Sequence, residues 1–100
     1  MIAKGGYVYI VSNKFRTTIY VGVTSNLIAR ITEHKSGEGS KFTSKYQCYD
    51  LVYWEFHERI ESAIEREKQI KKWKRTWKDR LIKSTNPTWK DLFHEIQDMD

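Results

Sequence analysis

Cysteine and proline are the scarcest structural residues in this 100-residue chain, with one of each. Cys48 alone cannot form an intramolecular disulfide, and one thiolate cannot build a zinc site. His34, His57 and His94 are too scattered to supply a local Cys/His cluster. There is no internal repeat, no low-complexity tract and no linker rich in Gly or Pro. No apolar run approaches the roughly 20 residues of a membrane span, and no signal peptide opens the chain. A cytoplasmic protein without a membrane partner is the expectation.

Charge and aromatic side chains are plentiful. Lys and Arg number 18 against 13 Asp and Glu, a formal net charge of +5. That excess suits a polyanionic partner. Aromatics make up 14% of the residues, including 4 Trp and 6 Tyr. Such large side chains let a short chain bury a core without covalent staples, and a disordered polyelectrolyte would not carry them. The length fits a single domain spanning residues 1–100.

The first strand is expected over Gly6 to Ser12, rich in β-branched and aromatic residues, with Tyr7, Tyr9 and Val11 on one face. Thr18 to Val23 forms a second strand after a polar hairpin connection. Thr24, Ser25 and Asn26 are N-cap types before a helix striped by Leu27, Ile28 and Ile31, which Gly37 and Gly39 end. Ser40 to Gln47 reads as a polar, basic loop. Leu51 to Phe56 reads as a third strand covered on both faces. Helical periodicity then runs from Glu58 to about Lys83, as one helix or as two broken near Arg75–Thr76. Asn86–Pro87 stops it, and Thr88 to Ile96 allows a last short helix. Trp73, Trp77 and Trp89 are expected to anchor helices to the sheet. The fold class is α+β, a small three-stranded antiparallel sheet flanked by helices, in the order β-β-α-β-α-(α)-α.

Several residues ask for more than core packing. Tyr9 and Tyr20 share a face if the hairpin register pairs them with each other, and Gly22 leaves bare backbone there. A strand glycine marks a bulge or a close approach; an aromatic pair beside a packing glycine is the plainer account. Arg30 and His34 are i,i+4 neighbours, able to fork a phosphate and relay a proton, or simply exposed beside the buried stripe. Glu67 points into the apolar face of its helix, where a lone carboxylate is costly unless paired or metal-bound. Its options are an ion pair with Lys71 one turn on, or a divalent cation completed by water and phosphate. Lys68, Lys71, Lys72, Lys74 and Arg75 surround Trp73, and Lys35, Lys41 and Lys45 cluster after the first helix. Both groups suit a phosphate backbone or a solvated face.

Taken together, these residues resemble the GIY-YIG nuclease superfamily, specifically its small single-domain bacterial members. The two name triplets appear as Tyr7-Val8-Tyr9 and Tyr20-Val21-Gly22. Tyr stands for the first Gly, and Val replaces Ile in both triplets. Arg30 and His34 match the helix that follows, Glu67 matches the metal-binding carboxylate, and Asn86 matches a downstream Asn near the site. The resemblance implies metal-dependent hydrolysis of DNA phosphodiesters, branched or damaged DNA included, with Mg2+ or Mn2+ on Glu67 and no small-molecule cofactor. It implies that Arg30 neutralises phosphate charge and that Tyr9 and Tyr20 surround the attacking water. One of the two would be the general base; Tyr9 is favoured because His34 is a plausible proton acceptor beside it. Asn86 would orient Glu67, a metal water or the local backbone. Against the enzyme stands a non-catalytic nucleic-acid-binding module that kept the fold. The presence of Tyr9, Tyr20, Arg30 and Glu67 together favours the enzyme.

Overall fold

The computed structural model describes residues 5–98. Alternating apolar and aromatic residues form strands β1 (Gly6–Ser12), β2 (Ile19–Thr24) and β3 (Asp50–His57). They make one antiparallel sheet in the order β2-β1-β3, so β1 is central. The β1–β2 turn is closed by Asn13, whose Oδ1 accepts from the backbone of Thr17 (2.9 Å) and Thr18 (3.0 Å). The register pairs Tyr9 with Gly22 and Val11 with Tyr20, which puts all four on one face. A bulge opens where Ile10 pairs with Tyr53 but Val11 pairs with Leu51. Val52 is the extra residue. Leu51, Val52 and Tyr53 are consecutively buried, whereas Phe56 is 53% exposed, so only the first half of β3 is covered on both sides as expected.

The helices are α1 (Leu27–Lys35), α2 (Lys41–Lys45), α3 (Ile60–Lys71), α4 (Arg75–Thr85) and α5 (Phe93–Ile96). Asn26 caps α1, its side chain accepting from Ala29 N at 3.1 Å. At the other end Gly37, at φ +85, lets its own N–H reach His34 O and the Glu38 N–H reach Glu33 O. This is the glycine-dependent Schellman stop. The α+β order is as expected, with one correction. Residues 40–47 are not simply a loop, because α2 forms there. Ser40 caps it by accepting from Thr43 N, and buried Thr43 pins it inward. A five-residue polar helix has no apolar stripe, so periodicity misses it.

The long helical stretch divides into α3 and α4, with Lys74 in an extended conformation between them. The turn lets Ile70 and Ile82 both pack beneath the sheet, in a core with Val8, Ile10, Val21 and Val52. Arg75 fixes the start of α4 by donating to Arg16 O (2.9 Å) and Thr17 O (3.1 Å). Trp73 and Trp89 pack against this core as expected, whereas Trp77 is exposed and meets Trp73 edge-on. The other face of the sheet carries Tyr9, Val11 and Leu51, packed with Leu27 and Ile31 of α1 and Ile96 of α5. No helix among the described residues is long and apolar enough to cross a membrane.

Candidate active site

Tyr9 stands at the centre of a hydrogen-bonded chain. Arg30 Nε donates to its hydroxyl (3.2 Å), and that hydroxyl lies 2.9 Å from His34 Nε2. On the far side His34 Nδ1 lies 3.0 Å from Thr43 Oγ1. A guanidinium only donates, so the phenolic proton is free to point at Nε2. A neutral imidazole protonated on Nδ1 then donates to Thr43, whose hydroxyl can donate to Ser40 O (3.3 Å). Donor inventory thus assigns one direction to the whole chain.

Two glycines make room for it. A Cβ on Gly22 would overlap the Tyr9 hydroxyl and ring, so the close approach marked by this strand glycine is Tyr9 itself. A Cβ on Gly39 would overlap the His34 ring. Local sequence pattern makes Gly39 a helix terminator and puts Thr43 in a loop. Both roles depend on tertiary contact with His34, and no local pattern marks them.

Burial controls the titration of this chain. Tyr9 is 1% exposed, and desolvation pushes its phenol up to about 12 despite the hydrogen bond and charge of Arg30. Negative charge on Tyr20 or Glu67 works in the same upward direction. Burial, with the Arg30 charge, lowers His34 to about 4. A histidine whose folded pKa is depressed stabilises the fold fully above the unfolded value near 6.5. That contribution is lost as pH falls from there toward about 4. Denaturant unfolding between pH 7.5 and 4.5 should therefore lose stability by up to about 1.4 kcal/mol per pH unit relative to His34→Gln. Parallel pH profiles for the two proteins would contradict a neutral buried His34.

Glu67 lies with Ala63 and Ile70 among the buried residues of α3, as the helical spacing predicts. Its Oε2 is 2.7 Å from Lys71 Nζ, with side-chain exposures of 12% for Glu67 and 46% for Lys71. The Lys71 ammonium in turn lies 5.5 Å from the centroid of the Tyr20 ring. Although α3 packs on the face opposite Tyr9, Glu67 and Lys71 therefore reach the tyrosine cluster at the β2 side. Among the described residues, no group of three or more His, Cys, Asp or Glu could hold a metal by protein ligands alone. One carboxylate with water and substrate phosphate is nonetheless a usual Mg2+ arrangement. Glu67 fits it, since it already holds a cationic group on its open side.

Asn86 takes the backbone role among its expected options. Its Nδ2 donates to Val52 O (3.0 Å) and Lys90 O (2.8 Å), and its Oδ1 accepts from Lys90 N (3.2 Å). Two of the basic residues are engaged by the protein itself. Lys35 Nζ is 2.6 Å from Asp91 Oδ2 and donates to Tyr49 O (3.1 Å), and Arg75 holds the hairpin and pairs with Asp79. Lys41, Lys45, Lys68, Lys71, Lys72 and Lys74 remain exposed.

The sheet carries two tyrosines on one face, with an Arg on the next helix and a carboxylate on a later one, and residues 5–80 match the GIY-YIG catalytic domain, which is a nuclease class. The chain belongs to the GIY-YIG nuclease superfamily and, within it, to the UPF0213 proteins. It is 37% identical over 81 residues to a UPF0213 protein of Natronomonas pharaonis, covering 81% of this chain and 94% of that one. It is 44% identical over 78 residues to a UPF0213 protein of Clostridium perfringens, covering 78% and 83%. A UPF0213 protein from Bacillus halodurans, solved by solution NMR, superposes with a TM-score of 0.56 at 26% identity, covering 96% of this chain and 99% of that one. Asn86 lies beyond the matched domain.

Proposed function

We propose that this chain acts as a single-domain, divalent-metal-dependent endonuclease that hydrolyses phosphodiester bonds in DNA. The observation that carries the reading is the convergence of Tyr9, Tyr20, Arg30, His34, Glu67 and Lys71 around one patch of the sheet. Lys41, Lys45, Lys68, Lys72 and Lys74 would hold the flanking phosphates.

Arg30 binds the scissile phosphate. Its Nη1 is paired with exposed Glu33 (3.0 Å), a weak surface partner that a phosphate can displace. Its Nε stays bound to Tyr9, so the guanidinium is aimed before substrate arrives. The two tyrosines divide the work by exposure. Tyr9 is buried and hard to ionise, and its proton faces a histidine that resists protonation, so it acts by positioning Arg30. Tyr20 is partly exposed, so its phenolic proton can leave to solvent, and the resulting phenolate Oη takes the proton of the attacking water. This departs from the sequence preference for Tyr9 as the base, and the reason is desolvation. Mg2+ or Mn2+ held by Glu67 would supply charge neutralisation at the phosphate and at the leaving oxygen. Lys71 would then leave the carboxylate for the phosphate.

The test is incubation with labelled branched, nicked, duplex and single-stranded DNA, with Mg2+, Mn2+ or EDTA. Cleavage of at least one substrate with either ion, and of none in EDTA, is expected. Binding without cleavage under every condition would instead establish the non-catalytic module.

A further inference from the structure

The helix α2 presents two opposite faces. Thr43 points inward and is locked to His34, while Phe42 and Tyr46 point outward, 41% and 43% exposed. Their rings continue from Tyr20 as a row. Tyr20 and Phe42 have centroids 5.8 Å apart, and Phe42 and Tyr46 are 4.7 Å apart. Lys45 Nζ lies 5.3 Å from the Tyr46 ring centroid, and Lys41 is exposed on the same short helix. Exposed aromatics next to cations are costly surface for a protein to leave in water, and no core residue calls for them there. A continuous aromatic row beside lysines is the arrangement that stacks unpaired bases while neutralising their phosphates.

We propose that Tyr20, Phe42 and Tyr46 form a stacking platform for unpaired nucleotides, with Lys41 and Lys45 on the adjoining phosphates. The enzyme then selects DNA whose strand is single or frayed beside the scissile bond. This rests on the nuclease reading for its ligand class and names the substrate feature that reading leaves open. Two observations favour nucleic acid over a protein partner. The row is continuous with the proposed base Tyr20, and both flanking charges are positive. Because Thr43 fixes α2 to His34, the platform keeps a set height relative to Arg30.

Binding in EDTA tests it without turnover. A single-stranded oligonucleotide carrying 2-aminopurine and a duplex of equal length are titrated with the intact chain and with Phe42→Ala/Tyr46→Ala. The intact chain should quench the aminopurine. The double variant should lose single-strand affinity on the order of tenfold or more relative to duplex affinity. Phe42→Trp should retain the preference, whereas Phe42→Leu, which keeps apolar packing without a ring, should lose it. An unchanged single-strand to duplex ratio in the double variant overturns the platform. So does a concentration-dependent dimer that the double variant abolishes, since the row would then be an interface between copies. Loss of single-strand preference in a protein that cuts nothing would uphold the platform and remove only the nuclease reading. Metal-dependent cleavage with an unmoved ratio would do the reverse.

Discussion

Glu67→Ala is expected to abolish metal-dependent cleavage, at least about a thousandfold, while leaving DNA binding and the fold in place. A metal at a phosphoryl centre supplies several kcal/mol of charge stabilisation, and about 4 kcal/mol corresponds to a thousandfold in rate. Glu67 is the buried carboxylate of α3, and its charge acts on Tyr9. The ion pair with Lys71 raises a competing expectation, because removing one partner of a buried pair costs about 3–5 kcal/mol. Exposure decides between them. Lys71 is 46% exposed, so its ammonium returns to water when the carboxylate goes. The loss of stability should then stay within about 1 kcal/mol, the range of surface pairs. Thermal melting in metal-free buffer and single-turnover cleavage are the measurements. A folded Glu67→Ala protein that cuts at the normal rate removes Glu67 from the chemistry. A large fall in melting temperature without metal makes the Lys71 pair structural.

Gly22→Ala should be nearly as damaging to activity, and for a steric reason. The added methyl would overlap the Tyr9 hydroxyl and ring. Tyr9 cannot turn away cheaply, because Arg30 and His34 both hold its oxygen. Either Tyr9 moves and carries Arg30 with it, or the β1–β2 pairing shifts. Overpacking of this kind costs about 1–3 kcal/mol in stability, and a displacement of roughly 1 Å at a positioned group costs on the order of a hundredfold in rate. A joint fall in melting temperature and in cleavage rate is expected. Normal stability and cleavage in Gly22→Ala would show that the site has slack.

Residues whose placement depends on local periodicity are legible in the sequence. Strand alternation leaves the relative face of Tyr9 and Tyr20 to the register; the two do share a face, although Tyr9 sits opposite Gly22 and Tyr20 opposite Val11 rather than opposite each other. Helical spacing placed Glu67 with the buried side chains of α3, and Asn26 announced the start of α1. Residues whose function depends on distant partners are not. Thr43 matters because His34 packs against it from another helix, and Gly39 because the His34 ring fills the space a Cβ would take. Lys35 and Arg75 look like free cations in sequence, yet Asp91 and the hairpin carbonyls engage them across 56 and 59 positions of chain. Exposure was equally hidden. It separates Tyr9 from Tyr20, two residues that sequence pattern treats alike.

The central position of β1 has a bearing on how this protein emerges from synthesis. Its hairpin with β2 is local, but its other edge waits for β3, with Gly6 opposite His57. Tyr9, Tyr20, Arg30 and His34 all lie inside the loop which that pairing closes, and Glu67 lies outside it. Closing a long loop is entropically slow, and contacts of high sequence separation delay folding. A nascent chain ending before β3 carries the tyrosines, the arginine and the histidine but lacks Leu51 and Ile96, which pack around Tyr9, and Glu67. Hydrolytic competence would arrive late and all at once, when α3 docks on a finished sheet.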